Sequence, residues 1–241
     1  MSLQTAMIFC AGLGTRFKPW TDRHPKALAI VNGKSLLQRN IEYLQQFGIN
    51  RVVVNVHHFA QQIIDALTEN KGWGSEFIIS DEQDLVLETG GGLLKAKHLF
   101  TPGESFLTLN VDILTDLDIA AFYNFHRKNQ SLISLAVSDR KTSRCFVFDD
   151  YNRLTGWRNL QTGEERMSIP TIGGNNKAFS GISIFNYDFF NFLRLQGKFS
   201  LVDAYLGLAK GHLIAGFDHS GGKWVDVGKP ETVAVAEGLF P

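Results

Sequence analysis

The sequence predicts an α/β fold, a Rossmann-like mixed, mainly parallel sheet flanked by helices, and three observations carry that prediction. Short apolar runs rich in β-branched and aromatic residues recur through the first half of the chain. Between them lie longer segments whose apolar residues repeat at helical spacing. The two kinds alternate, and that order builds parallel strands with helices packed on their faces.

In chain order the candidate buried strands are TAMIFC (5–10), RVVVNV (51–56), EFIIS (76–80), FLTLN (106–110) and LISLAVS (132–138). The segment SLLQRNIEYLQQFG (35–48) puts Leu36, Leu37, Ile41, Leu44 and Phe47 on one helix face, with Ser35 as N-cap and Gly48 closing the C-terminus. HFAQQIIDALTEN (58–70) and TGGGLLKAKHLF (89–100) continue the helices. After about residue 139 the pattern becomes irregular. Short strands are expected at 145–149, 154–158 and 178–186, with a glycine- and asparagine-containing loop at 173–176 and a helix at 201–210. No linker rich in Pro, Ser or charge, no repeat and no low-complexity tract interrupts the chain, which therefore reads as a single domain over 1–241.

Composition excludes several classes of function. With 241 residues, 44% of them hydrophobic, the chain can bury a large core. Its 24 basic and 24 acidic residues cancel, so there is no global field to draw it to nucleic acid or an anionic membrane, and neither partner is expected. No basic leader precedes an apolar run, and no stretch approaches the roughly 20 apolar residues of a membrane span. The only cysteines are Cys10, inside the first strand, and Cys145, which favours reduced thiols and a cytoplasmic location.

Chemistry concentrates in AMIFCAGLGTRFKPWTDRHPKALAIVNGKS (6–35), where a strand runs into a glycine loop at the end of which ligands of open α/β sheets sit. A dinucleotide fingerprint fails here, because Phe17 stands at its third glycine. A Walker A loop also fails, because Leu28 stands at its first, and VNGKS reads instead as an Asn-Gly turn before a helix cap. What remains is G-x-G-T-R followed by P-K. The glycines let backbone N–H groups approach a ligand, Arg16 can clamp phosphate oxygens bidentately, and Lys26 adds a point charge.

This pattern resembles the signature of the sugar-1-phosphate nucleotidyltransferases, and three further segments match in order: LETGGGLLKA (87–96), LNVDILTD (109–116) and WVDVG (224–228). The resemblance covers nearly the whole chain and implies the nucleotide-diphospho-sugar transferase type of fold, with a nucleotide-binding half over 1–116 and a sugar-binding half over 117–241. It implies Arg16 and Lys26 as catalytic cations and Ala11, Gly12, Gly14, Thr15, Glu82, Glu88, Gly90 and Gly91 as nucleotide contacts. Asp112 and Asp226 are implied to hold Mg²⁺, and Arg158, Gly181 and Trp224 to meet the sugar. The expected substrates are a nucleoside triphosphate and a sugar 1-phosphate. Within the family the segments look most like a short branch lacking a β-helix extension, for which UTP with N-acetylmuramate 1-phosphate is the first choice and GTP with mannose or heptose 1-phosphate the second.

Two positions depart from the family. Val111 stands where a glycine often precedes the first metal aspartate, and the lysine of the E-K-P segment is absent near GWRNLQ (156–161), leaving Arg158 or the metal to hold the sugar phosphate. Other readings stand beside these. Asp112, near Asp116 and Asp118, is by itself an ordinary acidic loop, whereas the run Gly90 to Gly92 favours close ligand approach. Glu82 and Glu88 are ribose or base contacts or else surface carboxylates, Trp224 lines the sugar site or the core, and His57 and His58 are structural. A catalytically silent relative that binds sugar nucleotide is the alternative of another class, opposed by the joint retention of Arg16, Lys26, Asp112 and Asp226. Oligomeric state, monomer or dimer, stays open.

Overall fold

In a computed structural model that describes residues 3–171 and 173–241, the predicted sheet flanked by helices is present. The first strand, β1 (Thr5–Phe9), is buried at every position. Ala6 and Ile8 enter one core and Met7 and Phe9 the other, so both faces of the sheet are covered. Each fully buried side chain of the size of Met7 or Ile8 contributes about 1.5–3 kcal/mol.

A small hairpin of β2 (Ile30–Val31) and β3 (Lys34–Ser35) follows, turned by Asn32 and Gly33 in the left-handed region, as VNGKS predicts. Ser35 then caps α1 (Leu36–Gln45), its Oγ accepting from Gln38 N–H at 3.1 Å. The helix stops short of the predicted Gly48. Next come β4 (Arg51–Val56), α2 (Ala60–Glu69), β5 (Glu76–Asp81), α3 (Glu88–Lys95) and β6 (Ser105–Asn110). The helix predicted over 89–100 ends early and finishes as a 3-10 turn at Ala96–Leu99.

The second half holds more regular structure than its sequence suggests: β7 (Ile113–Thr115), α4 (Ile119–Asn129), β8 (Ile133–Ser138), β9 (Arg144–Phe148), β10 (Leu154–Asn159) and β11 (Glu165–Met167). Then β12 (Asn175–Asn186), α5 (Phe189–Phe192), α6 (Leu201–Leu208), β13 (Ile214–Asp218), β14 (Trp224–Asp226) and α7 (Glu231–Leu239) complete the chain. Part of the loop expected at 173–176 is strand, since Asn175 and Asn176 pair with Phe148 and Val147. Backbone hydrogen bonding to β9 decides those two residues where their own preference is for a turn.

Among the described residues ten strands share one sheet, in the order β11-β10-β9-β12-β6-β1-β4-β5, with β8 pairing β12 and β13. β6, β1, β4 and β5 are parallel, and β12 enters antiparallel to β6. β1 therefore has β4 on one side and the later β6 on the other. That reversal is a topological switch point, the place where open α/β sheets open a crevice at their strands' carboxyl ends. Helices α1, α2, α4 and α7 cover one face of the sheet and α3, α5 and α6 the other. Among the described residues, no helix is long and apolar enough to cross a membrane, and both cysteines are free and buried.

Candidate active site

The glycine loop leaves β1 at the switch point and is tied down at once. Cys10 N–H donates to Asn55 Oδ1 at 2.7 Å, and Asn55 in turn donates to Glu82 Oε1 at 2.8 Å. Burial holds the Glu82 carboxyl above its usual range, against the hydrogen bonds from the Asn55 amide and the Leu87 backbone. At 1% exposure Glu82 is a buried prop for the loop, and Asn55 is a site residue that sequence reading missed. The one available signal was a lone asparagine within the apolar run RVVVNV.

Gly14 has φ +59°, and a Cβ there would come within 2.8 Å of Thr21, whose Oγ1 donates to the Gly14 carbonyl at 2.9 Å. A 3-10 turn over Thr15–Phe17 follows. Phe17, the residue that breaks the dinucleotide fingerprint, is buried in the core and anchors the turn, leaving Arg16 exposed at the crevice. Lys26 opens a further 3-10 turn, Lys26–Leu28, and pairs with Asp112.

The two aspartates meet because two very short strands pair. Asp112 lies between β6 and β7, Asp226 ends β14, and β14 runs antiparallel to β7 with Asp226 opposite Ile113. Val227 N–H donates to the Asp112 carbonyl at 2.8 Å. Burial first, and Asp112 second, raise the Asp226 carboxyl above its ordinary range, while Lys26, Arg16 and Arg140 oppose that shift. Its Oδ1 is buried and has no hydrogen-bond partner among the described residues. A Cβ on Gly228 would lie 2.6 Å from that oxygen and 3.2 Å from Arg16 Nη2, so Arg16 and Asp226 approach each other only because residue 228 is glycine.

A cavity of about 440 Å³ opens here. Ala11, Gly12, Gly14, Thr15, Arg16, Lys26, Val111, Asp112 and Gly228 line it together with Asn55, Glu82, Val86, Glu88 and Thr89. Among the described residues no cluster of three or more His, Cys, Asp or Glu stands ready to hold a metal, so the acidic groups at the centre are the two aspartates.

Several expected residues lie elsewhere. Gly90 and Gly91 do not line the cavity, and both of their N–H groups donate to Phe199 O, at 3.0 and 3.2 Å. A Cβ on Gly90 would strike the Phe199 ring at 2.4 Å, and one on Gly91 the Gly197 carbonyl at 2.2 Å. The glycine run lets α3 pack against the chain before α6, which corrects the expectation of close ligand approach. Neighbouring Glu88 and Thr89 reach the cavity instead. Arg158 also lies outside the cavity lining, in a cross-strand ion pair with Glu165 at 2.8 Å. Gly181, φ +79°, sits where β12 breaks register with β8, its Cα pressed against Ile113. Trp224 donates from Nε1 to Ser180 O at 3.0 Å and is only partly buried. His57 meets the Glu82 carbonyl through Nδ1 at 2.6 Å, a structural contact.

A crevice at a sheet's switch point, with a glycine loop and cations facing paired aspartates, defines a nucleotide-binding α/β protein that handles phosphate. The sequence pattern of the nucleotidyl transferase family matches residues 5–237, and the chain belongs to that family, as a sugar-1-phosphate nucleotidyltransferase. It is 31% identical over 225 residues to the N-acetylmuramate alpha-1-phosphate uridylyltransferase of Neisseria meningitidis serogroup B, covering 92% of each chain. With the protein of the same name from Caulobacter vibrioides it shares 42% identity over 109 residues, 44% of this chain and 45% of that one. Among solved structures, HddC from Yersinia pseudotuberculosis complexed with GMP-PN superposes with a TM-score of 0.81 at 22% identity, over 99% of this chain and 100% of that one. That likeness is one of fold.

Proposed function

We propose that this chain transfers a uridylyl group from UTP to N-acetylmuramate 1-phosphate, releasing pyrophosphate, in the cytoplasm and with Mg²⁺. The observation that carries the substrate choice is the 31% identity, over 92% of both chains, to a relative named for that activity. An acceptor that is already an anion needs no general base. Its phosphate oxygen attacks the α-phosphorus, the α–β bridging bond breaks, and the electron pair leaves on pyrophosphate. Positioning and charge stabilisation carry the catalysis.

Arg16 and the backbone of Gly12 to Thr15 take the triphosphate. Lys26, paired with Asp112 in the nucleotide-free chain, turns to phosphate when that carboxylate finds another partner. Asp112 and Asp226 fit Mg²⁺, which favours one or two carboxylates with phosphate and water, and the unpartnered Asp226 Oδ1 is an oxygen in want of a cation. Bound there, the ion supplies neutralisation of phosphate and pyrophosphate charge. Glu88 and Thr89 face the nucleoside, and Trp224 and Gly181 border the acceptor side.

Pyrophosphate release tests this, with Mg²⁺ and each of UTP, GTP, CTP, ATP and dTTP paired with the 1-phosphates of N-acetylmuramate, glucose, mannose and heptose. Turnover greatest for UTP with the muramate is the expected result. A preference for GTP with mannose or heptose 1-phosphate would replace the substrates, and silence with intact triphosphate binding would replace the enzyme by a regulatory binder.

A further inference from the structure

Transfer to a sugar 1-phosphate needs a cation for the acceptor's own phosphate, and the lysine expected near 156–161 is absent. Arg158 does not fill the place, being paired with Glu165 across β10 and β11. Lys177 is also spent, on Asp139 at 2.6 Å and Asp218 at 2.5 Å.

Arg140, two residues past β8, is differently placed. Its guanidinium lies over the Trp224 ring, with Cζ 3.8 Å from the centroid, and Nη2 donates to the Phe179 carbonyl at 2.5 Å. Its Nε is buried and finds no acceptor among the described residues. Trp224 and Asp226 are two apart on β14, so their side chains stand on one face, and the cation stacked on the first acts electrostatically on the second. Yet Arg140 and Asp226 form no ion pair among the described residues. Arg16 reaches Asp226 from the Gly228 side, whereas Arg140 reaches it from the Trp224 side. The two aspartates thus have a cation for the donor on one flank and, on the other, a cation that no carboxylate pairs among the described residues.

We propose that Arg140 binds the phosphate of the sugar 1-phosphate, in the role the absent lysine plays elsewhere. This rests on the nucleotidyl-transfer reading above. Stacking on Trp224 limits the rotamers open to the guanidinium, so little freedom is lost when it engages phosphate. The same bond to Phe179 O holds it beside the register break that carries Gly181.

Steady-state kinetics of Arg140→Gln, Arg140→Lys and Arg158→Ala test the assignment. Gln keeps a donor for Phe179 O and removes the charge, so KM for the sugar 1-phosphate should rise about 10- to 100-fold, the value of a charge-assisted hydrogen bond. KM for the triphosphate should stay within about 2-fold by the same reckoning, Lys should recover part of the loss, and Arg158→Ala should behave as wild type. Equal changes in both KM values, or none, would overturn the proposal. Calorimetric titration of N-acetylmuramate 1-phosphate, with Mg²⁺ and a non-hydrolysable UTP analogue already present, onto wild type and Arg140→Gln separates this from the wider reading: should wild type turn nothing over, weaker binding by the variant still supports Arg140. Equal affinities, or no binding to wild type, would refute it.

Discussion

Replacing Asp226 by Asn should move stability and activity in opposite directions. Its Oδ1 is shielded without a partner, and burial, then Asp112, raise its carboxyl above the usual range, while Lys26 is already engaged with Asp112. A shielded polar atom lacking a hydrogen bond costs about 1–3 kcal/mol. Asn keeps one oxygen, puts an NH2 group in place of the other and removes the charge, so the penalty on the shielded charge is what is recovered; with the site partly open that share is near the lower end, about 1 kcal/mol. For a chain of this size that is a rise in Tm of about 2–4 °C. Because the folded-state carboxyl titrates above its unfolded value, the penalty is absent at acid pH and appears as pH rises through the folded pKa. The advantage of Asn should therefore grow from acid to neutral buffer. Turnover should fall by about 10²–10³ or more, the scale of losing one preorganised electrostatic contact to the transition state. Thermal unfolding with a chelator present, followed by Mg²⁺-dependent pyrophosphate release, reads both. A lower Tm in chelator, or turnover within about tenfold of wild type by that scale, would refute the reasoning.

Two further substitutions probe the frame around the site. Glu82→Gln retains an oxygen for Asn55 and removes a buried charge whose pKa is raised by burial, so it should unfold at higher temperature than wild type at neutral pH. The difference should vanish near about pH 4, where the unfolded carboxyl is itself protonated, and a difference independent of pH would sink the idea. Gly91→Ala brings a Cβ to 2.2 Å from the Gly197 carbonyl, a backbone atom with little room to yield. Overpacking of about 1–3 kcal/mol should offset or outweigh the helix-propensity gain of about 1 kcal/mol, giving a net loss of up to about 2 kcal/mol in denaturant titration. Stabilisation by about 1 kcal/mol would return the glycine run to a ligand role.

The first half of the fold was legible because each element declares itself locally. The run RVVVNV is β4 residue for residue, and Ser35 caps α1 as its position predicts. α4 escaped notice because its buried set is only Ile119, Phe122 and His126. The last of these is a histidine that burial holds neutral, with its pKa lowered to about 4, beside Ser134 Oγ at 2.9 Å. A polar residue at a core position erases the period on which a helix is read. β7 and β14, three residues each, carry no periodic signal, and they are the strands that join Asp112 to Asp226. Local chemistry thus announced the glycine loop, but only the resemblance paired the aspartates, and nothing in the sequence distinguished Arg140 from any surface arginine. The run Gly90 to Gly92 went the other way: it attracted a ligand argument, and packing accounts for it.

Charge at the centre explains why these residues occur as a set. Lys26 and Asp112 neutralise each other, Asp226 lies under the influence of Arg16 and Arg140, and the charges of the site are close to self-compensated. A triphosphate arriving alone would set its negative charge against Asp226, the carboxylate already raised by burial and by Asp112. Were a divalent cation to bind with it, Asp112 and Asp226 would be the residues to hold it, and Lys26, no longer held by Asp112, would be free to meet phosphate. The acceptor's phosphate then meets a centre whose charge has been compensated, with Arg140 still uncommitted. Donor and ion before acceptor is the order that this distribution of charge favours, because in the reverse order the acceptor faces an Asp226 compensated only by Lys26, Arg16 and Arg140.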